Sequence, residues 1–306
     1  MQSCSISGIR YELGELRDID ECRECRDDPG MLEVLKIRGL SQYSVAASSA
    51  RELAQKALGA SLQSSTMTPS SIDVLLCGTD LTTDSFFSQE AINKILSHCN
   101  LTRAYPIGLS LAACTNSMSV LEVGTALIRS GVARRVACVV LGMREPDKAR
   151  VMDFGLSVFS DGAVAWIMSS DPGDCEILST GHASDPALGM LGLKEHAREY
   201  LLGTANGVRS AVDNALEPLR LSRDDVDRVI TNNYARDVQR TFLQHAGLSM
   251  SISWLTNLPR FAHVFSADTL INLSDCMAAE QLPRGAKCLL LGTSPTSWGA
   301  VLLQRC

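Results

Sequence analysis

Two stretches of this chain repeat each other in kind, and that repetition constrains the fold more than any single residue. Ser71-Ile72-Asp73-Val74-Leu75-Leu76-Cys77-Gly78 reads as a turn running into a buried strand, and Asp225-Val226-Asp227-Arg228-Val229-Ile230-Thr231-Asn232 reads the same way. The run over 131–142, GVARRVACVVLG, has its counterpart in 282–292, LPRGAKCLLLG. Both pairs lie about 150 residues apart, as an internal duplication requires. A third pair matches Gly162-Ala163-Val164-Ala165-Trp166-Ile167-Met168 to Gly299-Ala300-Val301-Leu302-Leu303. Apolar residues run through these segments without alternation, so strands covered on both faces are expected. Residues 45–58, 88–96, 117–128, 207–216 and 236–246 carry apolar side chains every three or four positions, the spacing of amphipathic helices. Strands alternating with helices in each half imply layered α/β structure, and two stacked halves, 1–170 and 171–306, give the order α-β-α-β-α. No low-complexity linker parts them, so one compact unit is expected, with a helix N-terminus from each half at a central cleft.

Composition removes several function classes. A net charge of −6 and the absence of a dense Lys/Arg cluster leave no footprint for nucleic acid. The N-terminal region interleaves Glu12, Glu15, Asp18, Asp20, Glu21 and Glu24 with arginines, unlike a signal peptide, and no apolar run is long enough to span a membrane. The 11 cysteines, an odd number spread through apolar segments, read as reduced core thiols of a cytoplasmic protein. Cys22 and Cys25 form a single CxxC with no second pair or nearby histidine, so a solvated charged segment rather than a zinc site is expected, and no metal elsewhere.

One cysteine stands apart. In Leu109-Ser110-Leu111-Ala112-Ala113-Cys114-Thr115-Asn116-Ser117-Met118, Cys114 lies among small residues where an apolar segment gives way to a helix. The positive end of the helix macrodipole favours a thiolate there, and N–H groups at the helix start are placed to hold an oxyanion. A buried cysteine that merely packs is the competing reading.

The chain resembles the ketosynthase III family of the thiolase superfamily, from about Ile6 to Cys306. The resemblance rests on Ala112-Ala113-Cys114, on Phe159-Ser160-Asp161-Gly162-Ala163-Val164-Ala165, similar to that family's "GDGAGA", and on Trp298-Gly299-Ala300-Val301, similar to its closing strand. It implies a thiolase-like fold, with Cys114 as the acyl-carrying nucleophile. The family's condensing members use Cys-His-Asn, and here the chain departs from them. Where "HQAN" would stand it has Ile230-Thr231-Asn232-Asn233-Tyr234-Ala235-Arg236, with Asn232 at the histidine position. Where "HGNTSAAS" would stand it has Phe261-Ala262-His263-Val264-Phe265-Ser266-Ala267-Asp268, with His263 at the asparagine position.

Two readings of the site follow. In one, Asn232 and His263 are donors with exchanged roles in decarboxylative condensation, although Asn232 also suits a strand-end turn. Alternatively Asp268 orients His263, making Cys114, His263 and Asp268 a nucleophile, base and orienter for acyl transfer to an alcohol, amine or other small acceptor. Asp268 has an ordinary alternative as a helix N-cap, and His263 as a hydrogen-bonded core or loop histidine. The second reading resembles the acyltransferase branch of ketosynthase III-like proteins; a non-catalytic partner subunit of a heterodimer is a third. The resemblance also implies an oxyanion hole from the N–H groups of Cys114 and Ser294, although Pro295 stiffens that loop. It implies carrier-protein contacts at Arg236 and Arg240, which as readily form a solvated helix face, and a homodimer with Phe86 and Phe87 shaping the acyl pocket. The donor expected is an acyl carrier protein or coenzyme A thioester bearing phosphopantetheine, with no cofactor of the protein's own; the lack of a tryptophan before Trp166 weighs against coenzyme A.

Overall fold

The computed structural model describes residues 2–79, 86, 88–192 and 195–306. Its strands are β1 (Ser5–Leu13), β2 (Glu15–Asp18), β3 (Gln42–Val45), β4 (Val74–Thr79), β5 (Tyr105–Leu109), β6 (Arg135–Gly142), β7 (Gly162–Ser169), β8 (Cys175–Ser184), β9 (Arg228–Thr231), β10 (Lys287–Thr293) and β11 (Ser297–Arg305). The helices are α1 (Arg23–Asp27), α2 (Pro29–Ile37), α3 (Ala50–Ser64), α4 (Gln89–His98), α5 (Asn116–Arg129), α6 (Ala197–Leu216), α7 (Arg236–Ala246), α8 (Leu258–Phe261) and α9 (Asp268–Ala278). Strands β2 and β3 pair apart from the main sheet, which has the order β5-β4-β6-β7-β1-β8-β11-β10-β9.

That order reads the same way outward from the β1/β8 seam. On one side β4 runs parallel to β5 and β6, with β6–β7 and β7–β1 antiparallel; on the other β9 is parallel to β10, with β10–β11 and β11–β8 antiparallel. A parallel bridge between Val229 and Ser253 stands where β5 stands in the first half. Each strand pair matched in the sequence thus occupies equivalent places in the sheet.

The unbroken apolar runs follow from burial on both faces. In β6, Val136, Cys138 and Val140 face a central core while Ala137, Val139 and Leu141 face an outer one with α3 and α4. In β10, Cys288 and Leu290 share that central core, and Leu289 and Leu291 pack outward against α6 and α7. Helices α5 and α9 fill the middle, giving the layer order α-β-α-β-α expected from the sequence.

Two local expectations are corrected. The helix expected over 45–58 begins at Ala50, because Ser49 and Glu52 form a capping box, each side chain satisfying the other's backbone N–H. Cys22 and Cys25 are not in a solvated segment: they are 2% and 1% exposed and pack with Ile19, Leu35 and Tyr43.

Paired glycines bring the middle layer against the sheet. Gly292 and Gly299 face each other across β10 and β11, and a Cβ on either would come within 2.9 and 2.6 Å of Met118 in the first turn of α5. Gly142 and Gly162 face each other across β6 and β7, and a Cβ on Gly142 would meet the Phe265 ring at 2.6 Å. One pair admits the helix behind Cys114; the other admits the loop that carries His263.

Candidate functional site

Cys114 sits in a tight turn, Ala113–Thr115, between β5 and α5. Asn116 ties this turn down: its side-chain oxygen accepts from the Ala112 N–H at 3.1 Å, and its amide donates to the Thr79 carbonyl at the end of β4 at 3.0 Å. Thr115 Oγ1 donates to the Ala112 carbonyl at 2.6 Å. Ala113 is held at φ +46°, a region non-glycine residues visit at a cost, so the turn is fixed by its surroundings and not by its own preference.

His263 follows a second such residue, Ala262, at φ +50°. Its N–H donates to the Val158 carbonyl at 3.0 Å and its carbonyl accepts from Ser160 at 2.8 Å, locking the loop to the segment before β7. The imidazole is fully buried among Tyr234, Phe159 and Phe265, with ring centroids 4.9, 5.7 and 5.7 Å away.

Cys114, His263 and Asp268 lie in a row, in the order that a nucleophile, base and orienter would need. Cys114 Sγ lies 3.3 Å from His263 Nε2, and His263 Nδ1 lies 2.5 Å from Asp268 Oδ2. Asp268 is fully buried at the first residue of α9, so its carboxylate, like the sulfur at the start of α5, feels the positive end of a helix. It also accepts from the backbone N–H groups of Asn233 and Val264, both at 2.7 Å, and from Asn233 Nδ2 at 3.3 Å. The N-cap alternative is corrected: Ala267 holds that position, and the Asp268 carboxylate turns Oδ2 to the imidazole while Oδ1 accepts from Val264 and Asn233.

Asn232 does not face the sulfur as a donor. Its amide donates to the carbonyls of Cys114 and Phe265 at 3.3 and 3.1 Å, and its oxygen accepts from the Thr293 N–H at 2.9 Å. All of its polar capacity holds backbone in place, so it braces the turn and has no hydrogen left for a substrate carbonyl. Ser294 is likewise corrected as an oxyanion donor. Its N–H donates to the Ser297 carbonyl at 2.9 Å, closing the turn over Pro295.

Arg236 and Arg240 are exposed one turn apart on α7. The Arg236 side chain lies over Gly39, where a Cβ would come within 2.9 Å of its Nε. Neither arginine lies among the hydrogen-bond partners of the thiol and imidazole. Phe86 is fully buried, and Phe87 lies outside the described residues. Cys114 is 9% exposed. Two clefts flank its turn, of about 190 and 470 Å³, both reaching Ala112 and Ser297 and neither lined by the cysteine itself.

Sequence reasoning missed Tyr234, Asn233 and Asn272. The Tyr234 hydroxyl donates to the Thr293 carbonyl at 3.0 Å, and burial, reinforced by the neighbouring Cys114, pushes its phenol well above the usual range. Asn233 and Tyr234 lay inside the segment already singled out. Asn272 stands four residues after Asp268, one helical turn along α9, which is the spacing that should have drawn notice.

Of the other cysteines, burial pushes Cys22, Cys77 and Cys175 up to about 12 and Cys99 and Cys276 up to about 11, so they persist as thiols. Among the described residues no cluster of His, Cys, Asp and Glu is arranged to hold a metal ion, and no helix is long and apolar enough to cross a membrane.

The family model for the C-terminal part of 3-oxoacyl-[acyl-carrier-protein] synthase III matches residues 216–305. Curated relatives include beta-ketoacyl-[acyl-carrier-protein] synthase III of Clostridium perfringens, 24% identical over 83% of this chain and 84% of the relative. The enzyme of the same name from Neisseria gonorrhoeae is 24% identical over 99% of this chain and all of the relative (100%). Among solved structures, the acyltransferase ChlB3 superposes with a TM-score of 0.87 at 18% identity, covering 99% of this chain and 98% of that one. FabH from Pseudomonas aeruginosa follows at 0.81 and 18%, over 99% and 98%. At such identities these structures establish the fold.

Proposed function

We propose that this chain, ketosynthase III-like in its C-terminal family match, its curated relatives and its fold, is an acyltransferase working through a cysteine thioester. The observation that carries the reading is the row Cys114 Sγ, His263 Nε2, His263 Nδ1, Asp268 Oδ2, with spacings of 3.3 Å and 2.5 Å across the two hydrogen bonds. In the first half-reaction the Cys114 proton passes to Nε2 and the thiolate attacks the carbonyl carbon of an acyl thioester. The donor's thiolate leaves and takes the proton back from the imidazolium. In the second, Nε2 takes the proton of an alcohol, amine or other small acceptor as its oxygen or nitrogen attacks the cysteinyl thioester, and the released sulfur is then reprotonated. Asp268 fixes the tautomer and balances the imidazolium charge. The Cys114 N–H at the helix start is assigned to the oxyanion.

The donor we propose is an acyl carrier protein or coenzyme A thioester bearing phosphopantetheine, with no resident cofactor, in cytoplasmic fatty acid, polyketide or other natural product biosynthesis. Exposed Arg236 and Arg240 suit an acidic carrier. We divide the chain into halves at 170/171, the first supplying the nucleophile and the second the imidazole and carboxylate. A homodimer is proposed through edge strand β5, where Tyr105 is 70% exposed and the following Leu111 wholly so. Phe86 is the acyl-pocket candidate.

Decarboxylative condensation is the second reading, favoured by the names of the curated relatives. Asn232 weighs against it, since condensation of this type uses two neutral donors at the substrate carbonyl and Asn232 is committed to backbone. Incubation with simple acyl and malonyl thioesters plus an acceptor separates the two. Transfer gives acylated acceptor and free thiol in equal amounts without carbon dioxide; carbon dioxide released with each turnover establishes condensation instead. Failure of every thioester to react would favour a non-catalytic partner subunit, against which the assembled row of three groups argues.

A further inference from the structure

We infer that Asn233, Asn272, Asn257 and Arg260 form a hydrogen-bond chain polarised in one direction, from the Arg260 guanidinium to the Asp268 carboxylate, and that these four are positioning residues which hold the Asp268 carboxylate in place against His263. The inference rests on the reading of Cys114, His263 and Asp268 given above.

The chain can be walked atom by atom. Arg260 Nη1 donates to Asn257 Oδ1 at 2.6 Å, Asn257 Nδ2 donates to Asn272 Oδ1 at 3.0 Å, and Asn272 Nδ2 donates to Asn233 Oδ1 at 2.9 Å. Asn233 Nδ2 then donates to Asp268 Oδ1 at 3.3 Å, and the Asn233 backbone N–H donates to Asp268 Oδ2 at 2.7 Å. Every amide turns its oxygen toward Arg260 and its N–H toward Asp268.

Partners with a single possible role force these orientations. Asn233 Nδ2 also donates to the Ala262 carbonyl at 2.8 Å and Asn272 Nδ2 to the Thr231 carbonyl at 3.1 Å, and a carbonyl can only accept. The guanidinium at the other end can only donate, which fixes Asn257. None of the three amides can flip without setting like against like. The three asparagines are 1%, 1% and 0% exposed. Hydrogen bonds in series polarise one another, so three aligned amide dipoles, with a cation behind them, present their positive end to the one carboxylate that faces the imidazole.

The charged and titratable groups around this pair are few. Cys114 faces the imidazole from the start of α5, Tyr234 packs on the ring from the loop before α7, and Arg144 lies beyond Phe159, 4.6 Å from that ring's centroid. At the outer end Arg260, half-exposed, also binds Asp275 Oδ2 at 2.8 Å, and Asp275 accepts from the Tyr11 hydroxyl at 3.0 Å.

The test reads the sulfur directly and needs no substrate: the rate of Cys114 alkylation by iodoacetamide against pH, followed by peptide mass in a Cys306→Ser background because Cys306 is exposed. If the chain holds Asp268 against His263, breaking it loosens that contact and weakens the imidazolium that partners the thiolate, and the reactivity profile moves to higher pH. Asn272→Leu should move the midpoint up by about one pH unit. Arg260→Met, at a half-exposed position that tolerates change, should move it the same way by about a third of that, and Arg260→Lys should restore the wild-type profile. Lowered thermal stability with unmoved midpoints in both Asn272→Leu and Arg260→Met would overturn the inference, leaving a merely structural network. His263→Ala distinguishes the two levels: a shifted profile there with none in the relay variants sinks the relay alone, and no shift in His263→Ala sinks the triad reading beneath it.

Discussion

Replacing Asp268 by asparagine keeps the shape of the side chain and removes one acceptor. In the protein, Oδ2 accepts from His263 Nδ1 and the Asn233 N–H, while Oδ1 accepts from the Val264 N–H and Asn233 Nδ2. An asparagine has one oxygen, so whichever way its amide turns, its NH2 meets two N–H donors in a fully buried place. Turned toward Val264, it orphans two donors. Turned toward His263, it donates to Nδ1 and drives the ring proton onto Nε2, the atom 3.3 Å from the sulfur, which then cannot accept from the thiol. Losing two hydrogen bonds to a charged acceptor, at about 1.5–3 kcal/mol each, sets a destabilisation of about 3–6 kcal/mol before relaxation. The wrong tautomer is expected to lower turnover about 10⁴-fold, the scale seen when the aspartate of a serine-type triad is made an asparagine. Steady-state kinetics with an accepted acyl thioester, beside calorimetric unfolding, measures both. Turnover within about tenfold of wild type in a variant of unchanged melting temperature would refute the assignment of Asp268 as the orienting carboxylate.

Three further outcomes follow from the geometry. Asn232→Ala, which removes three hydrogen bonds that hold backbone, should lower the melting temperature strongly while slowing turnover less than His263→Ala does; the reverse ranking in kinetics would favour condensation. Brief alkylation at about pH 8 followed by peptide mapping should mark Cys114 and Cys306, and leave Cys22, Cys77 and Cys175 unmodified, because burial holds those three at about 12; early labelling of any of the three would contradict the packing described. Gly299→Ala should lower both stability, by about 1–3 kcal/mol, and the rate of Cys114 acylation, since its methyl group would lie 2.6 Å from Met118 Cβ and press on the first turn of α5; unchanged acylation in this variant would show that the glycine pair does not position the sulfur.

The strands were legible because burial on both faces leaves an apolar run that needs no partner to recognise, and their order was legible because the second half repeats the first. Cys114 was legible through the small residues around it, and His263 only through the likeness of its segment to a family motif. What escaped depended on hydrogen bonds made at a distance. Ser294 looked like an oxyanion donor until its N–H was found closing a turn onto Ser297, a matter of backbone dihedrals that residue types do not encode. Asn232 stood at the histidine position of the related motif, yet its amide is spent on Cys114 and Phe265, residues 118 and 33 positions away. Cys22 and Cys25 looked solvated because their sequence neighbours are charged; a short helix and its N-cap turn both thiols inward while Arg23 and Arg26 stay exposed.

The central claim is that the sulfur of Cys114 carries the acyl group between donor and acceptor. Intact-protein mass spectrometry after mixing with a panel of acyl carrier protein and coenzyme A thioesters, with tryptic mapping of any adduct, tests it most directly. The account predicts a mass gain equal to one acyl group, located on the peptide containing Cys114, absent in Cys114→Ala and discharged when an alcohol or amine acceptor is added. An adduct on another residue, or product formation undiminished in Cys114→Ala, would contradict it.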